Sequence, residues 1–431
     1  MRADALIAHF VGAAALVLVA AHAAGWAARR LGQPYIVGQL AAGIALGPSL
    51  LGQAAPGTYR ALFPEGITTA LTGFAQFALV VFLFAVGYEL DVRVLGGRAR
   101  VTVAVALASF VVPMAVGCGA ALLFRDRLHA LGMPRDLSPP MVLFAGIALS
   151  ITAVPVLTAI VRENGLASTV PGVVAVSAAG LLDVVCWTVL AGTMMDGDGH
   201  ALGLPWRAAL AFAFVAVMTV AARPVLRRLL WRTGVDPSLR LALLIGFALG
   251  SAWVTHSLGL HVIFGALLAG VVTPREPGGT LDPDLVRPLH EVGSLLLPFF
   301  FVVSGRSVTL DGMDAAGWAA VLVVTVLAVV TKVGSGTLTA RLGGLGRDDA
   351  RTVGVLLSAR GLTELIALEA GLRAGLLSGP LYSVLVFMAL ITTLLTQPLL
   401  GLVRRPAGPA VGTPAAPGKR KGAPARAADP G

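Results

Sequence analysis

Two stretches, IALSITAVPVLTAIV at residues 147–161 and LLSARGLTELIAL at residues 356–368, decide the reading of this chain. Each is apolar along most of its length, and each is interrupted near its middle. In the first, Pro155 removes a backbone donor, and the hydroxyls of Ser150 and Thr152 can satisfy freed backbone groups. In the second, Arg360, Gly361 and Glu364 interrupt a run that would otherwise continue as helix. A lone proline in an apolar helix usually marks no more than a kink. Two interruptions in two long apolar stretches predict a pair of broken helices, each with two half-helix ends carrying about half a unit charge.

The composition says where such helices sit. Of 431 residues, 57% are hydrophobic and 13% charged, against about 25% charged in soluble domains. Aromatics are 6% and the apolar mass is Ala, Val and Leu, which does not suit a barrel with aromatic girdles. Soluble enzymes, disulfide scaffolds and disordered chains are excluded, leaving an all-α polytopic membrane protein whose first partner is the lipid bilayer. Cys118 and Cys186 lie in apolar stretches and read as packing residues. The formal charge of +10 would suggest nucleic acid in a soluble protein. Here the basic residues fall in loops and the tail, so membrane topology explains them and no nucleic-acid partner is expected.

Apolar stretches near the ~20 residues a bilayer requires recur at about 5–28, 34–51, 67–90, 99–124, 140–162, 168–195, 206–230, 238–257, 259–274, 288–305, 315–340, 350–376 and 379–403. The first resembles a secretory signal but is too long for one and ends in Arg29 and Arg30, so it reads as a span. With thirteen spans and the N-terminus outside, inside segments hold 22 Lys and Arg and outside ones 8. That bias predicts a multi-pass protein of the cell membrane with a cytoplasmic C-terminus. Residues 1–405 form the membrane domain. Residues 406–431, rich in Pro, Ala, Gly, Lys and Arg, are expected to be a disordered tail with the Lys419–Lys421 cluster free to touch anionic lipid.

The interrupted stretches are the fifth and the twelfth. An odd separation of seven means that they enter the membrane from opposite faces. Spans one to six and eight to thirteen then form two inverted six-helix repeats with the seventh as linker. The short, Gly-rich second and ninth spans correspond under the same offset. Interrupted helices at matching positions of inverted repeats are the best sequence pointer to a transport site.

Charge at mid-bilayer costs at least ~2.5–3.5 kcal/mol on insertion scales, so each deep charge calls for a role. Away from span ends the chain has Asp183, Lys332, Arg360 and Glu364; Glu369 lies nearer an end and can reach the interface. Positive half-helix ends call for a carboxylate and negative ends for a cation, which gives Glu364, Arg360 and Lys332 compensating work. Asp183 is left to bind something that moves. A carboxylate in a low-dielectric site beside a lysine can hold a proton or a desolvated monovalent cation, but not both. Competition at one site that opens to each side in turn gives cation/proton exchange. The main rival is a sodium-coupled small-solute symporter, which would need a roomier polar cavity. A channel would need a filter or polar stripe. An intramembrane enzyme could use Asp183, Glu364 and His261, but no metal spacing or nucleophile motif accompanies them. No cofactor or metal is expected.

These residues also resemble a family. QPYIVGQLAAGIALGPSLLG (33–52), FALVVFLFAVGYELD (77–91), ALSITAVPVLTAIV (148–161), SAAGLLDVVCWTVLA (177–191), GLHVIFGALLAGVVTPR (259–275), LPFFFVVSG (297–305), and KVGSG with SARGLTELIALEAGL (332–372) occur in the order seen in monovalent cation:proton antiporters of the second large branch. The resemblance implies thirteen helices, a dimerisation domain, a homodimer, and a mobile core of two crossed broken helices. It implies that Asp183 binds the ion with Thr152 on the first crossing helix. Lys332, Arg360 and Glu364 are implied as compensating or proton-coupled charges, and Pro155 and Gly361 as the breaks. Two departures stand out: Leu182 replaces the usual Asp or Asn before the aspartate, and Gln39 replaces a glutamate of the second span. Leu182 leaves Asp183 as the one clear carrier carboxylate, so electroneutral exchange is expected.

Overall fold

The computed structural model describes residues 3–64, 66–89, 99–194, 204–230, 236–258, 260–275, 281–310 and 313–403. Lipid supplies no hydrogen bonds, so a chain this apolar satisfies its backbone within each segment, and helices do that. In chain order they are α1 (Ala3–Arg30), α2 (Tyr35–Ala45), α3 (Leu51–Ala54), α4 (Pro56–Leu62), α5 (Ile67–Glu89), α6 (Ala99–Leu123), α7 (Arg125–Ala130), α8 (Pro139–Ser150), α9 (Val154–Glu163) and α10 (Val170–Met194). They continue as α11 (Leu204–Val217), α12 (Arg223–Leu230), α13 (Pro237–Ser257), α14 (Val262–Val272), α15 (Pro283–Arg306), α16 (Ala315–Leu342), α17 (Arg347–Leu357), α18 (Leu362–Arg373) and α19 (Gly379–Val403). A π-helical turn, Met218–Ala222, joins α11 to α12.

Among the described residues, 10 helical segments are long and apolar enough to cross a membrane, with α8 and α9 together making one of them. The three remaining expected stretches are helical but differ in form. Helices α2 and α14 have 11 residues each, about 16 Å at 1.5 Å per residue, roughly half of a bilayer core. The twelfth stretch is two half-length helices, α17 and α18. Some boundaries also moved. Helix α2 stops at Ala45 rather than near residue 51, because Gly47 and Pro48 follow and proline cannot continue a helix. Helix α15 starts at Pro283, five residues before the expected 288. There Asp282 accepts a hydrogen bond from the Asp284 N–H at 2.9 Å, and Pro283 takes the first helical position. The proposed tail, 406–431, lies outside the described residues.

The helices pack as two groups. One contains α1, α2, α5, α13, α14 and α15; the other contains α6, α8, α10, α16, α17 and α19. Small residues let the short helices press directly on their neighbours' backbones. A Cβ on Gly43 of α2 would lie 2.2 Å from the Phe301 carbonyl oxygen of α15, and one on Gly270 of α14 would lie 2.2 Å from the Phe84 carbonyl oxygen of α5. The segment α11–α12 packs on the rest of the protein through Met218, Leu226 and Leu230, while Phe212 is 77% and Val220 76% exposed, a surface suited to lipid.

Candidate ion-binding site

The first break is Ile151–Ala153, extended residues between α8 and α9. Pro155 lies in the first turn of α9, where its missing donor is harmless. The second break is Ser358–Gly361, between α17 and α18. Gly361 adopts φ 157° and ψ −131°, a region open essentially to glycine alone. A Cβ there would also lie 2.6 Å from Val156 Cγ2. The breaks cross and are tied together. The Ala153 N–H donates to the Ala359 carbonyl at 3.1 Å, and Thr152 Oγ1 donates to the Leu357 carbonyl at 3.1 Å.

A helix that stops inside the protein leaves its last carbonyls without partners, and here buried cations fill that need. Arg360 donates to the carbonyls of Ala148 at 2.7 Å and Leu149 at 2.6 Å, the last turn of α8. Lys332, on α16, donates to the Ser150 carbonyl and, at 2.7 Å, to Thr152 Oγ1. Glu364, in the first turn of α18, pairs with Arg360 at 2.5 Å. It therefore sits where a half-helix dipole is positive. Arg360, Lys332 and Glu364 are all buried.

Asp183 lies mid-way along α10 and is 1% exposed; its Oδ2 has no hydrogen-bond partner among the described residues. It borders a small cavity lined also by Ile151, Cys186, Trp187, Leu190 and Thr363, with room for about one water-sized particle. Asp183, Cys186, Trp187 and Leu190 recur at helical spacing on one face of α10, and Thr363 faces them from α18. Trp187 makes an edge-to-face contact with Phe264 of α14, ring centres 6.0 Å apart, so one wall of the cavity leans on the other helix group.

The geometry thus brings Asp183, Lys332, Thr152, Arg360, Glu364, Pro155 and Gly361 around one crossing. It distributes their work less simply than the sequence does. Thr152 spends its hydroxyl on Lys332 and Leu357, and Thr363 is the hydroxyl residue on the cavity. Lys332 interacts electrostatically with Asp183, yet its hydrogen bonds go to the crossing. Among the described residues no ion pair within 4.0 Å joins the two. Sequence reasoning did not place Thr363 at the cavity; Cys186, read as a packing residue, is buried in the apolar core and also borders the cavity. The signals were present: Cys186 follows Asp183 by three residues, and Thr363 precedes Glu364 directly after the break. Glu369 is buried and pairs with Arg373 at 3.0 Å. His261 holds the N-cap position of α14 without a side-chain capping hydrogen bond and is not among the residues lining the Asp183 cavity.

Among the described residues the structure is all-helical, and crossed broken helices with buried charges at their centre define a polytopic membrane protein with a buried polar site. Residues 16–401 match the family described as sodium/hydrogen exchanger, transmembrane. The chain belongs to that family. It is 32% identical over 398 residues to Cation/H(+) antiporter 17 of Arabidopsis thaliana, covering 91% of this chain and 48% of the plant protein. To Na(+)/H(+) antiporter NhaS4 of Synechocystis sp. it is 31% identical over 378 residues, covering 86% of this chain and 91% of that protein. The chain spans about half the length of curated relatives such as the plant protein. Its fold is similar to that of the sodium proton antiporter MjNhaP1 from Methanocaldococcus jannaschii, with TM-score 0.68, 13% identity, and coverage of 92% of this chain and 98% of that one.

Proposed function

We propose that the chain is a secondary transporter, not an enzyme, exchanging a monovalent cation (Na⁺ or K⁺) for protons by alternating access at Asp183. The observation that carries this reading is the Asp183 carboxylate itself: buried, with Oδ2 unpartnered among the described residues, and facing a cavity of about one water's size. Such a group binds either a proton or a dehydrated cation. The cavity is too small for an organic solute, which weighs against the symporter. Arg360, Lys332 and Glu364 hold the crossing together while Asp183 changes its cargo. The family membership and the relatives' names support exchange of this class.

Two inverted repeats and thirteen spans are the architecture behind this cycle. The packing of α1 on α2 is repeated by α13 on α14, that of α5 on α14 by α15 on α2, and that of α6 on α8 by α16 on α17. Gly38 and Gly43 of α2 recur as Gly265 and Gly270 of α14 at the same interval, each pressed against backbone. The group holding α8–α10 and α16–α19 is the moving core. The other group is the scaffold and the dimerisation domain of a homodimer. Residues 1–405 form this unit in the cell membrane, N-terminus outside, with 406–431 as a cytoplasmic basic tail.

The test is purified protein in liposomes with an internal pH dye and a panel of Li⁺, Na⁺, K⁺ and Rb⁺. A cation that dissipates the pH gradient with wild-type protein and fails with Asp183→Asn supports the reading. Exchange at the wild-type rate in the folded variant would overturn it.

A further inference from the structure

Cys186 is the one soft ligand on a cavity otherwise lined by apolar groups, a hydroxyl and a carboxylate. It follows Asp183 by three residues, which places the two side chains as neighbours about 5–6 Å apart at Cβ on one helix face. Both border the same single-particle cavity, and the carboxylate's Oδ2 has no partner among the described residues. Cys186 is 4% exposed and free of disulfide. Thiolate sulfur selects soft monovalent metal ions over hard ones, and binding requires loss of the thiol proton. The nearby carboxylate favours a cation by charge, whereas the thiol discriminates by softness.

We propose that Asp183 and Cys186 together form a binding site for thiophilic monovalent cations, with Ag⁺ as the probe, and that such an ion lodges in the transport site and blocks it. The reaction is a proton-for-metal replacement without redox change. Ag⁺ forms a bond to Cys186 Sγ as the S–H bond breaks and that proton leaves to solution; Asp183 gives up the proton it holds in the cation-free protein, also to solution, and its carboxylate takes the second side of the ion. Cys118 is not among the residues lining this cavity; its Sγ donates to the Val142 carbonyl at 3.4 Å. This inference rests on the reading of Asp183 as the ion site, but its test separates the two.

Ag⁺ is titrated as the nitrate, in chloride-free medium, into the purified protein, with bound silver and released protons both measured. Wild type and Cys118→Ser, free of transported cation, should bind Ag⁺ at this site with two protons released per ion, one from Cys186 and one from Asp183. Cys186→Ser and Cys186→Ala should weaken that binding by more than about 100-fold, the upper range for losing a mere outer-sphere partner. Excess transported cation should compete with Ag⁺ in the unmodified protein, a measurement that needs no variant. Ag⁺ should also halt exchange in proteoliposomes of wild type and of Cys118→Ser. Silver binding that is unchanged in both Cys186 variants, or binding indifferent to the transported cation, overturns the proposal. If Asp183→Asn abolishes exchange while Ag⁺ has no effect on wild type, the transport reading stands and the silver site falls.

Discussion

The buried pair at the crossing can be weighed by breaking it from each side. Arg360 is 1% exposed and serves three acceptors: the Ala148 and Leu149 carbonyls and Glu364 Oε1. Arg360→Met keeps bulk but strands a fully buried carboxylate and returns two carbonyls at the end of α8 to an orphaned state. Removing one partner of a buried ion pair costs about 3–5 kcal/mol. Glu364→Gln leaves an amide oxygen to accept from Arg360, whose charge still faces the negative end of α8. Its loss is the charge assistance of one hydrogen bond, about 1–2 kcal/mol. The two variants should therefore differ by about 1–4 kcal/mol, centred at ~2.5 kcal/mol or roughly 60-fold in the unfolding equilibrium. In the double variant Arg360→Met/Glu364→Leu no charge is stranded, so it should be more stable than Arg360→Met alone. Equilibrium unfolding in mixed micelles, followed by helical circular dichroism, reads all three. If Arg360→Met were as stable as Glu364→Gln, or the double variant no better than Arg360→Met, the claim that Arg360 carries the crossing would fail.

Gly361→Ala should cost about 1–3 kcal/mol of stability from the φ 157° backbone alone, and the contact with Val156 should lower exchange as well; unchanged unfolding and exchange would refute the steric account. Thr363→Val should raise the cation concentration needed for half-maximal exchange more than Thr152→Val does, whereas Thr152→Val should chiefly lower stability; the reverse split in the two assays would return the ligand role to Thr152. Truncation after Arg405 should leave exchange intact, and a folded truncation without transport would make the tail a required part. Exchange should be electroneutral, since one carboxylate trading one proton for one monovalent cation moves no net charge. Rates that shift with a clamped membrane potential would point to Lys332 as a second proton carrier.

Much of this protein follows from its order of residues. Apolar runs of bilayer length must become helices, because backbone groups have no other partner in lipid. Pro155 and the Arg360–Gly361 pair mark where two of those helices break. Deep charges are rare, so Asp183, Lys332, Arg360 and Glu364 could be singled out by depth alone. Periodicity does not say which deep groups touch, since their contacts join residues some 180 to 212 positions apart. Lys332 reads in sequence as a partner for Asp183, but the crossing brings the Ser150 carbonyl and Thr152 closer, and hydrogen bonds follow distance. For the same reason Thr152 is occupied, and Thr363 and Cys186 border the cavity. Helix propensity and hydropathy determine that segments exist and where they break. Which side chain meets which is decided by how α8–α9 crosses α17–α18, a matter of packing between distant parts of the chain.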